Sequence, residues 1–291
     1  MANLKEVRNR IVSVSSTQQI TSAMKMVSAA KLRRAQDAVT QMRPYANKLK
    51  EILENLSSSL DSATGIYSNQ REVKKVLIVP ITSNRGLCGG FNANVIKAAG
   101  RLAREEYSGA KVSILPIGKK ATEFFKKSQY ETIDAGLTNL IDIWDGLTFA
   151  NASIIAEKIM ELFATGTYDK VELIYNQFKN AAVQVTQVEQ YLPVKPPQVK
   201  EKKQSIDYIF EPNKTYIVED LIPRSLKTQL FKGLLDSLAS EHGARMTAMH
   251  KATDNAGALI KELKLTYNKA RQAAITNEIL EIVGGAEALN G

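Results

Sequence analysis

Cysteine is almost missing: Cys88 is the single one in 291 residues, so no internal disulfide can staple this fold, and a reducing compartment is the expectation. Histidine is nearly as scarce. His242 and His250 lie close together near the end of the chain, and with Cys88 they make no metal-ligand set of the usual spacing. No apolar run approaches the length that spans a bilayer. The N-terminus, Met-Ala-Asn-Leu-Lys-Glu-Val-Arg, lacks the apolar core of a secretory signal and is periodic from Leu4, which argues against a detachable transit peptide. These absences predict a chain in the cytosol, or one held peripherally at the cytosolic side of a membrane.

Charge is present but unevenly placed. The net charge is +9, and residues 1–50 hold ten Lys and Arg against only Glu6 and Asp37. The remaining chain is close to balanced. Such a basic strip can meet nucleic acid, an anionic membrane or an acidic protein surface. Aromatics are not interleaved with it, since Tyr45 is the only one before residue 60, and no helix-turn-helix or zinc-finger pattern appears. Nucleic acid is therefore not an expected partner.

The organising features are two long helical patterns at the ends. From about Leu221 to Gly291, Leu226, Leu230, Leu234 and Leu238 begin an apolar stripe, and Met249, Ala252, Ala256, Leu259, Leu263, Thr266 and Ala270 continue it in steps of three and four. That is the narrow seam of a coiled coil. Seventy helical residues would make a rod about 105 Å long, more than a compact domain can absorb. In the first helix, residues 3–60, Leu4, Val7, Ile11 and Val14 set a seam. The polar run Ser15–Gln19 interrupts it, Ile20, Met24 and Val27 resume it, and Met42, Ala46, Leu49, Leu53, Leu56 and Leu60 carry it on. The economical arrangement is an antiparallel intramolecular pair, locally bent at Pro44.

Between these helices the pattern becomes α/β. Lys75–Thr82, Lys111–Ile117 and Lys170–Asn176 read as buried strands. Phe91–Tyr107, Lys119–Ser128 and Phe149–Phe163 read as helices. Val183–Tyr191 alternates and reads as an antiparallel edge strand with one wet face. Pro193–Lys203 is a polar loop, and Asp207–Pro212 a short extended piece. The expected fold class is thus α/β: a long antiparallel coiled coil of N- and C-terminal helices with an inserted Rossmann-like domain. The expected boundaries are residues 1–62, 70–210 and 213–291.

Chemistry is hard to find. Arg85-Gly-Leu-Cys-Gly-Gly90 is a glycine-rich strand-to-helix turn, yet it fits neither phosphate-loop pattern, and a tight turn needing unusual backbone angles explains it better. Cys88 reads as a small buried hydrophobe. Asp142, Asp145 and Glu157 form no pair. No catalytic residue, cofactor site or metal site is expected.

The stretch Ile275-Thr-Asn-Glu-Ile-Leu-Glu-Ile-Val-Gly-Gly285-Ala-Glu-Ala288 resembles the C-terminal signature of the gamma-subunit family of F-type ATP synthase. Thr17-Gln-Gln-Ile-Thr-Ser-Ala-Met-Lys-Met-Val27, the Arg85–Gly90 turn, Ala252-Thr-Asp-Asn255 and Ile260-Lys-Glu-Leu263 match the same family in order, over nearly the whole chain. The resemblance implies a bacterial, non-catalytic central-stalk rotor, one copy per complex, peripheral on the cytoplasmic side of the plasma membrane. It would transmit torque between a proton-driven membrane ring and an alpha3-beta3 hexamer. It implies contacts to the beta subunit at Met24, Lys25, Lys31, Arg33, Arg34, Arg271, Gln272, Thr276 and Glu278. Contacts to the c-subunit rotor ring and the epsilon subunit are implied at Arg43, Tyr45, Asp207, Tyr208 and Glu211, with the membrane reached only through that ring. Ile279–Leu289 would turn inside an apolar sleeve. A basic coiled-coil scaffold, or a nucleic-acid binder, is the alternative reading.

Overall fold

The computed structural model describes residues 4–57, 66–194 and 214–290. The chain forms two compact units, residues 29–245 and residues 1–28 with 246–291. The elements in order are α1 (Leu4–Ser57), β1 (Lys75–Pro80), α2 (Phe91–Glu105), β2 (Lys111–Ile114), α3 (Lys119–Phe125), β3 (Glu131–Thr132), a 3-10 turn (Asp142–Asp145), α4 (Phe149–Ala164), β4 (Lys170–Phe178), β5 (Gln184–Leu192) and α5 (Lys214–Asn290). The α/β class and the two long terminal helices agree with the sequence reading. α1 runs on through Pro44, and α5 through Pro223.

In the larger unit the strands form one sheet in the order β3-β2-β1-β4-β5, all parallel except β5. The centre is β1, where Val76 to Pro80 are buried on both faces, as a strand with helices on each side must be. One face carries Val76, Ile78, Ile114 and Ile174 against Val95, Ala99 and Leu102 of α2 and Phe125 of α3. The other carries Leu77, Val79 and Leu173 against Ile155, Ile159 and Phe163 of α4 and Leu226, Leu230 and Leu234 of α5. The start of the expected leucine stripe is therefore consumed by the sheet. The second strand ends at Ile114, although Ile117 still bridges to Ile81. β3 carries no strand signal of its own, being two polar residues at an edge.

β5 is the antiparallel edge strand expected, but its wet face is not clean. Val188 is exposed, while Glu189 accepts hydrogen bonds from Tyr175 Oη (2.9 Å) and from Gln229 of α5 (2.9 Å). The helix lies over the polar positions, so alternation alone misjudged which side is covered. The loop from 195 and the extended piece up to 213 lie outside the described residues.

In the smaller unit α1 and α5 pair antiparallel. Thr21 Oγ1 and Thr253 Oγ1 share a hydrogen bond of 2.9 Å, and Lys25 Nζ lies 3.3 Å from His250 Nδ1. Among the buried and half-buried positions of α1 here, Leu4, Val7, Ile11, Val14, Gln18, Thr21, Lys25 and Ser28 follow an unbroken alternation of three and four, with Ser15, Ser22 and Met24 half-buried at its flanks. The polar run thus does not interrupt the seam. The seam passes through polar residues, and Ile20 and Val27 face outward at 59% and 57% exposure. On α5 the matching positions are Met249, Thr253, Ala256, Ile260, Leu263, Tyr267 and Ala270, so Tyr267 and not the exposed Thr266 sits in the seam. Gly257 allows the close approach: a Cβ there would stand 3.0 Å from Gln18 Nε2.

One glycine in the larger unit is obligatory. Gly118, entering α3, has φ +96° and an added Cβ would fall 2.1 Å from the Thr82 carbonyl oxygen. Thr82 Oγ1 in turn accepts the Ala121 N–H at 2.9 Å. Gly118→Ala should lower the unfolding free energy by about 2–4 kcal/mol through the clash and the left-handed backbone, as read by urea titration.

Candidate functional site

The surfaces that can do work lie on the helices. In the smaller unit, Val12, Ile20, Met26 and Val27 are all more than half exposed on the outward side of α1. Between residues 11 and 30 the only charge is Lys25, and it is turned onto His250, whose Nδ1 lies 3.4 Å from Asp254 Oδ2. The outward face there is consequently free of charge. Met24 is half-buried beside it.

Farther along, α5 outlasts its partner. Carrying the Thr21–Thr253 register back places Leu4 opposite Ala270. Among the described residues of 275–286 every one is exposed, including Ile275 (47%), Ile279 (54%), Leu280 (63%), Ile282 (72%) and Val283 (52%). Ile275, Ile279, Ile282 and Val283 recur at helical spacing, so they form one apolar stripe. Arg271, Gln272, Thr276 and Glu278 are exposed on the same stretch, with Thr276 Oγ1 donating to the Gln272 carbonyl (2.9 Å). A stripe of this size left in water marks a surface meant for contact.

In the larger unit Lys31, Arg33 and Arg34 are exposed, and so are Arg43 and Tyr45. Asp207, Tyr208 and Glu211 fall outside the described residues.

The glycine-rich turn is exposed except at Cys88 and is tied to α5 through its carbonyls. Leu87 (φ 60°) and Gly89 (φ 58°) give it the unusual backbone expected. Arg245 of α5 donates to the carbonyls of Arg85 (3.3 Å) and Gly86 (3.2 Å), and its Nη1 holds Glu241 Oε1 at 2.6 Å. Both charged side chains are about nine-tenths buried. A buried pair with its extra bonds made is strongly coupled, and losing one member leaves the other charge stranded. The sequence carried a faint signal of this: Glu241 and Arg245 stand four apart on a helix face otherwise made of small and apolar residues.

Perturbed titrations follow from this burial. Cys88 is buried, its thiol pushed up by desolvation against the pull of Arg245, with Ser83 Oγ and Asn92 Nδ2 around it at 3.9 and 3.2 Å. Burial also raises the carboxyls of Asp236 and Glu241. His242, whose Nδ1 has no hydrogen-bond partner, is held down to about 4 by burial and by the charges of Arg245 and Lys31. Among the described residues no group of three metal-ligating side chains exists. The arrangement ties helix to turn; it offers no nucleophile beside a base.

A sequence model of the ATP synthase family matches residues 3–289. The chain is 63% identical over 292 residues to the ATP synthase gamma chain of Flavobacterium johnsoniae, and 45% identical over 292 residues to that of Geobacter metallireducens, with both chains fully covered in each case. The chain belongs to the ATP synthase gamma-chain family. Among solved structures, the central stalk and c-ring of Tetrahymena thermophila mitochondrial ATP synthase matches at TM-score 0.56 and 27% identity, over 80% of this chain and 99% of that one. The rotor of Euglena gracilis mitochondrial ATP synthase has the same fold at TM-score 0.63, with 23% identity over 94% of this chain and 98% of that one. As a gamma chain it is a non-catalytic central-stalk subunit of an F-type ATP synthase. It belongs to a membrane-bound complex, and no described helix is long and apolar enough to cross a membrane.

Two outcomes test the joint around the turn. Arg245→Met should strip the lock from the Arg85 and Gly86 carbonyls and strand the Glu241 carboxylate, lowering the unfolding free energy by about 3–5 kcal/mol in a urea titration, while Arg245→Lys recovers part of it. For His242 the folded pKa lies at about 4, below its ordinary 6.5, so the unfolded chain takes the proton first. Stability from this group is complete above pH 6.5 and declines as pH falls toward 4. His242→Gln should flatten that limb by about 1–2 kcal/mol, allowing for the solvent that reaches a half-buried ring.

Proposed function

We propose that the paired helices, residues 1–62 and 213–291, act as a torque-bearing shaft with residues 70–210 as its inserted body. The shaft would turn inside an alpha3-beta3 hexamer, driven by a proton-powered c-subunit ring, and so force ATP synthesis in the beta subunits. The observation that carries this is the bare apolar end of α5. A stripe of Ile275, Ile279, Ile282 and Val283 without directional polar groups suits a bearing, because strong hydrogen bonds would trap the shaft at one angle.

The remaining contacts follow the same logic. Arg271, Gln272, Thr276 and Glu278 would meet the beta subunit near that end. Met24 and Lys25 would meet it beside the uncharged face of α1, and Lys31, Arg33 and Arg34 would meet acidic segments of it. Arg43 and the exposed Tyr45 (55%), with Asp207, Tyr208 and Glu211, would meet the rotor ring and epsilon subunit. One copy would serve each complex, on the cytoplasmic side of the membrane, without nucleic acid and without a cofactor.

Ile279 and Ile282 are 54% and 72% exposed, so replacing both with Glu leaves the chain's own fold undisturbed. The double substitution should weaken retention of the chain by a purified alpha3-beta3 hexamer about tenfold and stall ATP-driven rotation. Wild-type retention and rotation would exclude the bearing role.

A further inference from the structure

α2 and α3 cover the same face of the sheet and share one core, with Val95 and Ala99 of α2 packed in the same cluster as Ala121 and Phe125 of α3. Their outer flanks leave a groove of about 540 Å³. Ile96 lines it from α2 and Phe124 from α3, and its charged lining is Lys120 and Glu123, which pair with each other, and Lys127. Neither the shaft nor the sites considered above use this surface.

Its chemistry is specific in two respects. Phe124 is 53% exposed, and its ring stands edge-on against the buried Phe125 at 5.2 Å and 83°. The edge-to-face contact supports Phe124 from behind while half of its side chain stays open to a partner. The charge beside it is of one sign in balance. Residues 119–128 hold Lys119, Lys120, Lys126 and Lys127 against Glu123 alone. Glu123 is satisfied internally, by Lys120 at 2.8 Å and Lys119 at 3.9 Å, and those lysines hold its carboxyl below the usual range. Lys126 and Lys127 remain as surplus cations, with Lys127 on the groove itself.

An apolar trough with a half-exposed phenylalanine and a lysine border complements a chain segment that offers aliphatic or aromatic anchors flanked by carboxylates. Nucleic acid fits less well, since the lining brings one aromatic and no arginine fork toward a base or phosphate. We propose that the α2–α3 groove docks an acidic amphipathic segment of another subunit of the ATP synthase, anchored on Phe124 and Ile96 and guided by the surplus charge of Lys127, with Lys126 next to it in sequence. The proposal uses membership of the complex and is independent of which subunits touch the shaft.

The test is photo-crosslinking in the assembled enzyme, with Phe124 replaced by a benzophenone-bearing phenylalanine. Exposure of Phe124 makes the replacement tolerable to the fold, and retained ATP hydrolysis and rotation by the purified enzyme verify that assembly is intact. The expected result is a crosslink to one other subunit, mapping to a segment richer in Asp and Glu than in Lys and Arg. Adding Lys127→Glu should cut its yield about tenfold. The same photo-probe at Arg101, exposed on α2 away from the groove, should give none. A crosslink only within this chain, a crosslink to a neutral or basic segment, a yield indifferent to the charge reversal, or none at all in an active enzyme would overturn the proposal. An inactive, dissociated enzyme would instead point at the shaft reading, and groove occupancy would then be read with the Lys127→Glu substitution alone, by protection of Lys126 from acylation in the assembled complex. Equal protection with and without the substitution would also overturn it.

Discussion

Heptad packing of α1 against α5 is the contact on which the smaller unit rests, and its central turns are polar. Thr21 meets Thr253, Lys25 meets His250, and Gln18 lies over Gly257. Such a seam gives up hydrophobic stabilisation, since a hydroxyl pair contributes only about 1 kcal/mol net. In exchange, polar seam positions admit few alternative registers. A shaft that must not slip lengthwise gains more from a unique register than from maximal burial. The same choice frees Val12, Ile20, Met26 and Val27 to stand outward.

The larger unit solves a different problem, that of joining a sheet to a helix which continues beyond it. Leu226, Leu230 and Leu234 supply the apolar part of that joint. Past them α5 turns polar on its buried side: Ser240 Oγ donates to the Asn176 carbonyl (2.9 Å), and Arg245 ends the series on the glycine turn. These bonds are directional, so they resist sliding where leucines would not. The burial that makes them firm also displaces the titrations of Cys88, Glu241 and His242. Perturbed ionisation often marks catalysis. Here it accompanies a joint, in which Arg245 is committed to Glu241 and to the Arg85 and Gly86 carbonyls.

Much of this was legible in the residues, and the misreadings share one cause. Apolarity points the α1 seam through Ile20, Met24 and Val27, whereas the packed positions include Gln18, Thr21 and Ser28, and of the three apolar residues only Met24 is half-buried. The same one-residue ambiguity separates the exposed Thr266 from Tyr267, which sits in the seam. The alternation of β5 marks an antiparallel edge strand, yet Glu189 on its supposed wet face is held by Gln229 and Tyr175. The Glu241–Arg245 joint passed unnoticed because four-residue charge pairs are common on solvated helix faces and mean little until burial is known.

Periodicity, turn residues and composition by themselves determined the two long helices, the alternating strands and helices between them, and the absence of an obvious reaction centre. Those are local properties, set within a few turns of chain. Tertiary structure decided which of two neighbouring stripes faces inward, which carbonyls Arg245 holds, and where α5 runs out of partner. Each of these depends on the register between segments more than two hundred residues apart in sequence, as with Thr21 and Thr253. A repeat of three and four fits equally well one residue over, and only the opposing side chains remove that degeneracy.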